Sequence, residues 1–221
     1  MKAMILAAGR GERMRPLTER IPKPLLEAGG KPLIQYHVEA LSAAGIRQLV
    51  INHARLGEMI EARLGDGRAY GLEISYSAEG ETPLDTGGGI KKALALLGQD
   101  PFILVNADIW TDFDFSGLPH RPTGQAHIVL VDNPPHHPRG DFTLQGSSVS
   151  EAGAPRYTYG GIGVFTGELF ENCRDTVFPL APLLRRAMGQ GRVSGELHCG
   201  RWYDIGTPDR LAQLNQIIHS K

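Results

Sequence analysis

The sequence predicts an α/β fold, a doubly wound sheet with a β-rich lobe inserted in its second half. Three observations lead there. Short apolar runs alternate with amphipathic stretches between residues 3 and 106, in the order β-α-β-α-β-α-β. Such alternation gives a parallel sheet covered by helices on both faces. The first apolar run opens directly into a turn rich in glycine and arginine, where doubly wound sheets bind ligands. Beyond residue 132 the alternation stops, and turn residues crowd between short strand-like runs.

Each element has its own signal. "AMIL" (3–6) is a short apolar run of the kind a buried parallel strand makes. From Pro32, residues Leu33, Ile34, His37, Val38, Leu41 and Ala44 fall on one helical face, and Gly45 follows as a stop. "QLVIN" (48–52) is the next strand. Leu56, Met59, Ile60, Arg63 and Leu64 predict a helix ended by Gly65. "LEISYS" (72–77) alternates as a strand does; Ile90, Ala93, Leu94 and Leu97 mark a helix, and "FILVN" (102–106) a strand. After "AHIVLVD" (126–132) comes the turn-rich "NPPHHPRG" (133–140), then strand candidates at 141–144 and 157–165 and a helix over "LAPLLRRAM" (180–188). "PDRLAQLNQIIHS" (208–220) predicts a closing helix, with Thr207 as N-cap and Pro208 at its first position. No internal repeat, low-complexity tract or linker interrupts the chain, so residues 1–221 read as one domain, with halves 1–115 and 116–221.

Composition narrows the function classes. The 221 residues are 41% hydrophobic, enough for a sizeable core, and the net charge is −1. No global field favours nucleic acid or an anionic membrane, so neither is expected as a partner and any basic site is local. Cys173 and Cys199 supply neither metal-ligand spacing nor a disulfide framework. The N-terminal apolar run is too short for a signal-peptide core, and no run approaches a membrane span. A cytoplasmic protein is expected.

The local basic site is "ILAAGRGERMRPLT" (5–18), with Gly9 and Gly11 beside Arg10, Arg13 and Arg15. Glycines let backbone N–H groups approach an anion, and arginines offer forked donors to phosphate oxygens. A P-loop needs a lysine and a hydroxyl after its second glycine, which Gly9–Arg13 lacks; the dinucleotide fingerprint needs a glycine where Met14 stands. A bare G-x-G reads equally well as a solvated turn.

The following residues change that. The chain continues "PLTERIPKPLLEAGGKPLIQY", giving L-A-A-G-x-G-x-R-x-x-P-L-T-x-x-x-P-K-P-L-L and then K-P-L-I. This closely resembles the signature of the sugar-1-phosphate nucleotidyltransferases, the nucleoside-diphosphate-sugar pyrophosphorylases. "LDTGGG" (84–89), "LVNAD" (104–108), "YGGIGVF" (159–165) and "WYDIGTP" (202–208) follow in the family's order. The resemblance covers nearly the whole chain. It implies a Rossmann-like mixed sheet whose first half binds a nucleoside triphosphate and whose second half binds a sugar 1-phosphate.

The implied reaction is attack of a sugar-phosphate oxygen on the α-phosphorus, expelling pyrophosphate. Positioning and charge neutralisation dominate such transfers. By resemblance, Arg13 contacts the triphosphate and assists departure of pyrophosphate, and Lys23, stiffened by Pro22 and Pro24, reaches the α-phosphate or the sugar phosphate. Arg10 and Arg15 read equally well as solvent-facing charges. Ala8, Gly9, Gly11 and Glu12 line base and phosphates; Glu79, Thr86 and Gly87 of the base-recognition loop "EGETPLDTGGG" (79–89) hold the base, its glycines preceding a helix, and Asn106 completes the nucleotide set. Many relatives read Gly-Thr-Ala-Gly where this chain reads Asp85-Thr86-Gly87-Gly88. Asp108, at the carboxyl end of its strand, and Asp204 are the implied ligands of Mg²⁺, which takes one or two carboxylates plus substrate phosphates. A turn or cap role suits Asp112 and Asp114 better. On the sugar side the resemblance points to Gly140, Asp141, Glu151, Tyr159 and Gly161. Many relatives carry Glu-Lys-Pro near Ser150-Glu151-Ala152-Gly153, so another cation must meet the sugar phosphate, or metal and Lys23 hold it.

With no hexapeptide repeat in the sequence, a fused acetyltransferase is not expected. The short length, "TGGG" and "RGDF" look most like the branch that joins UTP to N-acetylmuramate 1-phosphate in cell-wall recycling. The lactyl carboxylate of that sugar calls for a cation, and Arg139 of "HHPRG" (136–140) is the first choice, before Arg156 and Arg201. Mannose-1-phosphate guanylyl and glucose-1-phosphate thymidylyl transfer remain open within the family. A dinucleotide-binding oxidoreductase is disfavoured by Met14 and by Lys23 between prolines, and a silent homologue by the presence of both Asp108 and Asp204.

Overall fold

The structure, a computed structural model, describes residues 1–80 and 82–219. Glu81 of the loop 79–89 and Ser220, the expected last residue of the closing helix, lie outside them. In chain order the elements are β1 (Lys2–Leu6), β2 (Glu27–Ala28), β3 (Lys31–Pro32), α1 (Leu33–Ala43), β4 (Gln48–His53), α2 (Gly57–Leu64), β5 (Glu73–Ala78), α3 (Asp85–Leu97), β6 (Phe102–Asn106), β7 (Ile109–Thr111), β8 (Ala126–Val131), β9 (Phe142–Gln145), β10 (Ser148–Ser150), β11 (Arg156–Phe165), α4 (Ala181–Gly189), β12 (Val193–His198), β13 (Trp202–Asp204) and α5 (Pro208–His219).

Nine strands form one sheet in the order β5-β4-β1-β6-β11-β8-β12-β10-β9. The first four are parallel, as the alternating sequence requires, with Ile5 aligned between Ile51 of β4 and Val105 of β6. β11 then runs antiparallel to both β6 and β8. The β-rich second half therefore takes the form of a continuation of the same sheet, not a separate layer. Successive side chains of β1 point to opposite faces. Ala3 and Ile5 pack with Ile34, Val38 and Leu41 of α1 and Ile60 of α2, whereas Met4 packs with Ile90 and Ala93 of α3 and Leu184 and Met188 of α4. This is the doubly wound arrangement.

A third apolar cluster sets the site. Met14, Leu26, Leu33, Trp110, Ile205, Leu211 and Leu214 pack together, so α5 is docked beneath the glycine loop and behind β7. Thr207 caps α5 as expected, its Oγ1 accepting from Arg210 N at 3.4 Å. One expectation needs correction. Gly87, Gly88 and Gly89 do not precede α3; they lie within its first turns.

Candidate active site

The carboxyl ends of the parallel strands open into a cleft of about 780 Å³. Ala8, Gly9, Arg10, Gly11, Glu12 and Arg13 line it from the first loop, Lys23 and Pro24 from the second, and Asn52, Glu79, Pro83, Asp85, Thr86, Asn106 and Asp108 from the other strand ends. Most of the expected nucleotide residues thus line one cleft. Gly87 does not: it lies under Phe178, whose ring carbon would be 2.4 Å from a β-carbon there. Arg15 is exposed away from the lining, and Arg10 pairs only loosely with Glu12, at 3.8 Å.

A buried relay ties three strand ends together. Ala7 N donates to Asn52 Oδ1 at 2.9 Å, Asn52 Nδ2 donates to Glu79 Oε1 at 2.6 Å, and Leu84 N donates to Glu79 Oε2 at 2.7 Å. Both Glu79 oxygens are engaged, so its side chain fixes the loop that enters α3 and, through Asn52, the start of the glycine loop. A β-carbon at Gly89 would sit 2.3 Å from Glu79 Oε1, which accounts for that glycine. Asn52 was not expected here, although it ends "QLVIN" at the carboxyl edge just as Asn106 ends "FILVN". Gly11, at φ 62°, reverses the chain where Thr18 Oγ1 donates to its carbonyl at 2.7 Å. Met14 is fully buried below, leaving Arg13 exposed above.

Lys23 is itself buried, and its Nζ reaches Asp108 Oδ2 at 2.7 Å. Asp204, 96 residues further on, arrives through backbone pairing: β13 runs antiparallel to β7 with Asp204 opposite Ile109, and Ile205 N donates to Asp108 O at 2.9 Å. Asp204 Oδ2 accepts from Arg210 Nη1 at 2.6 Å and meets His136 Nε2 at 3.1 Å. A β-carbon on Gly206 would lie 2.8 Å from Arg210 Nη1, 3.1 Å from Asp204 Oδ1 and 3.3 Å from Arg13 Nη2, so two guanidinium groups and a carboxylate surround that one position. Arg210 and His136 carried no warning in the sequence beyond their neighbourhood.

This donor set suits Mg²⁺. Two hard carboxylates, Asp108 just before β7 and Asp204 at the end of β13, are brought to neighbouring positions by the β7–β13 pairing. Mg²⁺ takes one or two carboxylates and completes its shell with water and substrate oxygens, so these residues fit it.

The second-half residues are placed as follows. His136 brings the loop 133–140 to Asp204. Arg139 in that loop is exposed and makes no ion pair among the described residues. Gly140, at φ 60°, closes the loop against Asn133. Asp141 meets His137 Nε2 at 2.9 Å and accepts from Tyr159 N at 2.9 Å, so its carboxylate braces the loop against β11. The Tyr159 hydroxyl is buried without a hydrogen-bond partner among the described residues, and burial pushes its pKa up. Gly161 sits in a bulge of β11, its β-carbon position 2.8 Å from Asn106 Nδ2, joining the two halves behind the cleft. Glu151 turns to Arg185 of α4 at 2.9 Å. Asp114 accepts from Ser116 N at 2.9 Å, the turn role expected of it, whereas Asp112 takes Arg201 Nε at 3.0 Å in an ion pair that was not expected.

His37 is fully buried in α1, its Nε2 2.8 Å from the Ile109 carbonyl, and burial pushes its pKa down to about 4. It is neutral at pH 7 and donates to β7, fixing the strand that follows Asp108.

Comparison with known proteins agrees with this geometry. The sequence profile of the nucleotidyl transferase family matches residues 2–142. The chain is 52% identical to the N-acetylmuramate alpha-1-phosphate uridylyltransferase of Neisseria meningitidis serogroup B, covering 98% of each chain. It is 36% identical to the enzyme of the same name from Caulobacter vibrioides, over 93% of this chain and 92% of that one. The crystal structure of a putative glucose-1-phosphate thymidylyltransferase from Bacillus anthracis superposes with a TM-score of 0.86 at 20% identity, covering 100% of this chain and 96% of that one, which shows the shared fold. Glycine loop, strand-end carboxylates and overall similarity together place the chain in the nucleotidyl transferase family.

Proposed function

We propose that the protein transfers a uridylyl group from UTP to N-acetyl-α-muramate 1-phosphate, giving UDP-N-acetylmuramate and pyrophosphate, in the cytoplasm and in the service of cell-wall sugar recycling. The single observation that supports this best is the 52% identity, end to end, with a relative of that name. The cleft supplies what the reaction needs. A sugar-phosphate oxygen forms a bond to the α-phosphorus as the bond from that phosphorus to the bridging β-phosphate oxygen breaks, and the electron pair leaves with pyrophosphate. The nucleophile has a second pKa of about 6 and is largely dianionic at neutral pH, so no general base is required. That agrees with a cleft lined by Arg13, Lys23 and Asp108.

In this reading the glycine loop, held by Asn52 and Glu79, receives the triphosphate. Arg13 neutralises the departing pyrophosphate, and Lys23 neutralises the α-phosphate. Asp108 and Asp204 would hold Mg²⁺, which would supply charge neutralisation at the phosphates. Arg139, exposed on the loop that meets Asp204 through His136, would offer a cation to the lactyl carboxylate. The test is a pyrophosphate-release screen of N-acetylmuramate, N-acetylglucosamine, mannose and glucose 1-phosphates against UTP, dTTP, GTP and ATP. Turnover is expected to be fastest with UTP and N-acetylmuramate 1-phosphate. Preference for GTP with mannose 1-phosphate, or no release with any pair, would overturn the reading.

A further inference from the structure

The segment leading from β11 into α4 crosses the first turns of α3 with its backbone laid directly on the helix. Gly88 N donates to Phe178 O at 3.1 Å, Phe178 N donates to Leu84 O at 3.2 Å, and Lys91 Nζ donates to Cys173 O at 2.6 Å and Asp175 O at 3.1 Å. The approach is closer than side chains permit. A β-carbon would lie 2.4 Å from the Phe178 ring at Gly87 and 2.2 Å from the Thr176 carbonyl at Gly88. Glycine is a poor helix former, so consecutive glycines at the start of a helix need a reason, and this crossing strap is one.

The strap also reaches the cleft. Val177, between the two residues that touch the glycines, is 54% exposed, the most exposed large hydrophobic among the described residues. An isolated exposed valine needs no explanation. This one lines the cleft together with Pro83, Asp85 and Thr86, and the bonds on both sides of it hold it in place. The cations that line the cleft, Arg10, Arg13 and Lys23, come from the first two loops and not, among the described residues, from this segment. Of the parts of a nucleoside triphosphate, the base alone presents a broad face with little hydrogen-bonding demand. We infer that residues 173–178 form a wall of the nucleobase pocket and that Val177 packs against the flat face of the base. The second half of the chain thus contributes directly to binding the nucleotide, and glycine at 87, where many relatives have alanine, is what admits the Phe178 ring.

This inference rests on the nucleotidyl transfer proposed above, and the test separates the two. Calorimetry with Mg²⁺ present would measure binding of UTP and of inorganic tripolyphosphate, which has no base, to the wild-type protein and to Val177→Ser, Val177→Ile and Gly87→Ala. Covering roughly half a valine side chain is worth about fivefold in affinity. Val177→Ser should weaken UTP about fivefold and leave tripolyphosphate unchanged, Val177→Ile should restore UTP binding, and Gly87→Ala should reproduce the serine pattern by lifting the strap. If Gly87→Ala fails to fold, the exposed Val177 variants still decide the matter. UTP binding unaffected by Val177→Ser, or equal losses for UTP and tripolyphosphate, would overturn the wall while leaving the transferase reading intact. Failure of the wild-type protein to bind any nucleoside triphosphate would overturn both.

Discussion

Replacing His37 by glutamine should flatten the acid side of the stability profile. The imidazole is fully buried, with its Nε2 2.8 Å from the Ile109 carbonyl. Burial lowers its pKa from 6.5 to about 4, against the opposing pull of the Ile109 carbonyl and the Asp108 charge. A folded-state pKa below the unfolded value means that the unfolded chain binds more protons between the two. Stability from this group is therefore complete above about pH 6.5 and falls as pH drops towards 4. Each pH unit within that window is worth 1.36 kcal/mol, so going from pH 6.5 to pH 5.0 costs about 2 kcal/mol. Glutamine does not titrate and keeps an N–H for the carbonyl. Urea unfolding at pH 7.5 and 5.0 should show the wild-type protein losing about 2 kcal/mol more than His37→Gln. Equal losses would show that His37 is not buried neutral as described. At pH 7.5 the folded variant should retain turnover within a few-fold; a loss of about a hundredfold would place the ring in the chemistry and refute a base-free transfer.

Two further perturbations address the two ends of the cleft. Arg139→Ala should lower kcat/KM for N-acetylmuramate 1-phosphate by about 2 kcal/mol, some thirtyfold, and barely change that for N-acetylglucosamine 1-phosphate, which has no carboxylate; equal losses on both sugars in steady-state kinetics would assign Arg139 to the phosphate or the loop. Gly89→Ala places a β-carbon 2.3 Å from Glu79 Oε1 and should disrupt its bond to Asn52. Loss of that buried pair should cost about 1–3 kcal/mol in urea unfolding and raise KM for UTP more than KM for the sugar phosphate, and an unchanged KM for UTP would detach the relay from nucleotide binding.

The parallel half of the fold was legible because its strands and helices obey simple periods and end at glycines, as "QLVIN" and the face from Leu33 to Ala44 do. The short strands were not. Ile109–Thr111 and Trp202–Asp204 are each three residues long, too short for a period, and only their pairing reveals them. β12 hides because "VSGELH" puts a glycine at one of its inward positions, where the Gly195 β-carbon would lie 2.6 Å from the Ile128 carbonyl. In the site, Lys23, Asp108 and Asp204 were visible through motif and strand-end position. Asn52, His136 and Arg210 were not, because their roles depend on partners 27 to 68 residues away or on the turn that follows β13. The glycines of α3 were misplaced for a similar reason: Gly87 and Gly88 answer to Phe178 and Thr176, far along the chain, and Gly89 to the Glu79 carboxylate.

We propose that the pairing of β7 with β13, which aligns Asp204 with Ile109, brings Asp108 and Asp204 into one reactive centre. The direct measurement is the turnover of Asp108→Ala, Asp204→Ala and the double variant under saturating UTP, sugar phosphate and Mg²⁺, with circular dichroism confirming the fold. Each single change should lower kcat by about a hundredfold or more, and the double variant should be little worse than either, because groups acting as a unit are grossly non-additive. Near wild-type turnover in either single variant, or losses that multiply in the double, would contradict a shared centre.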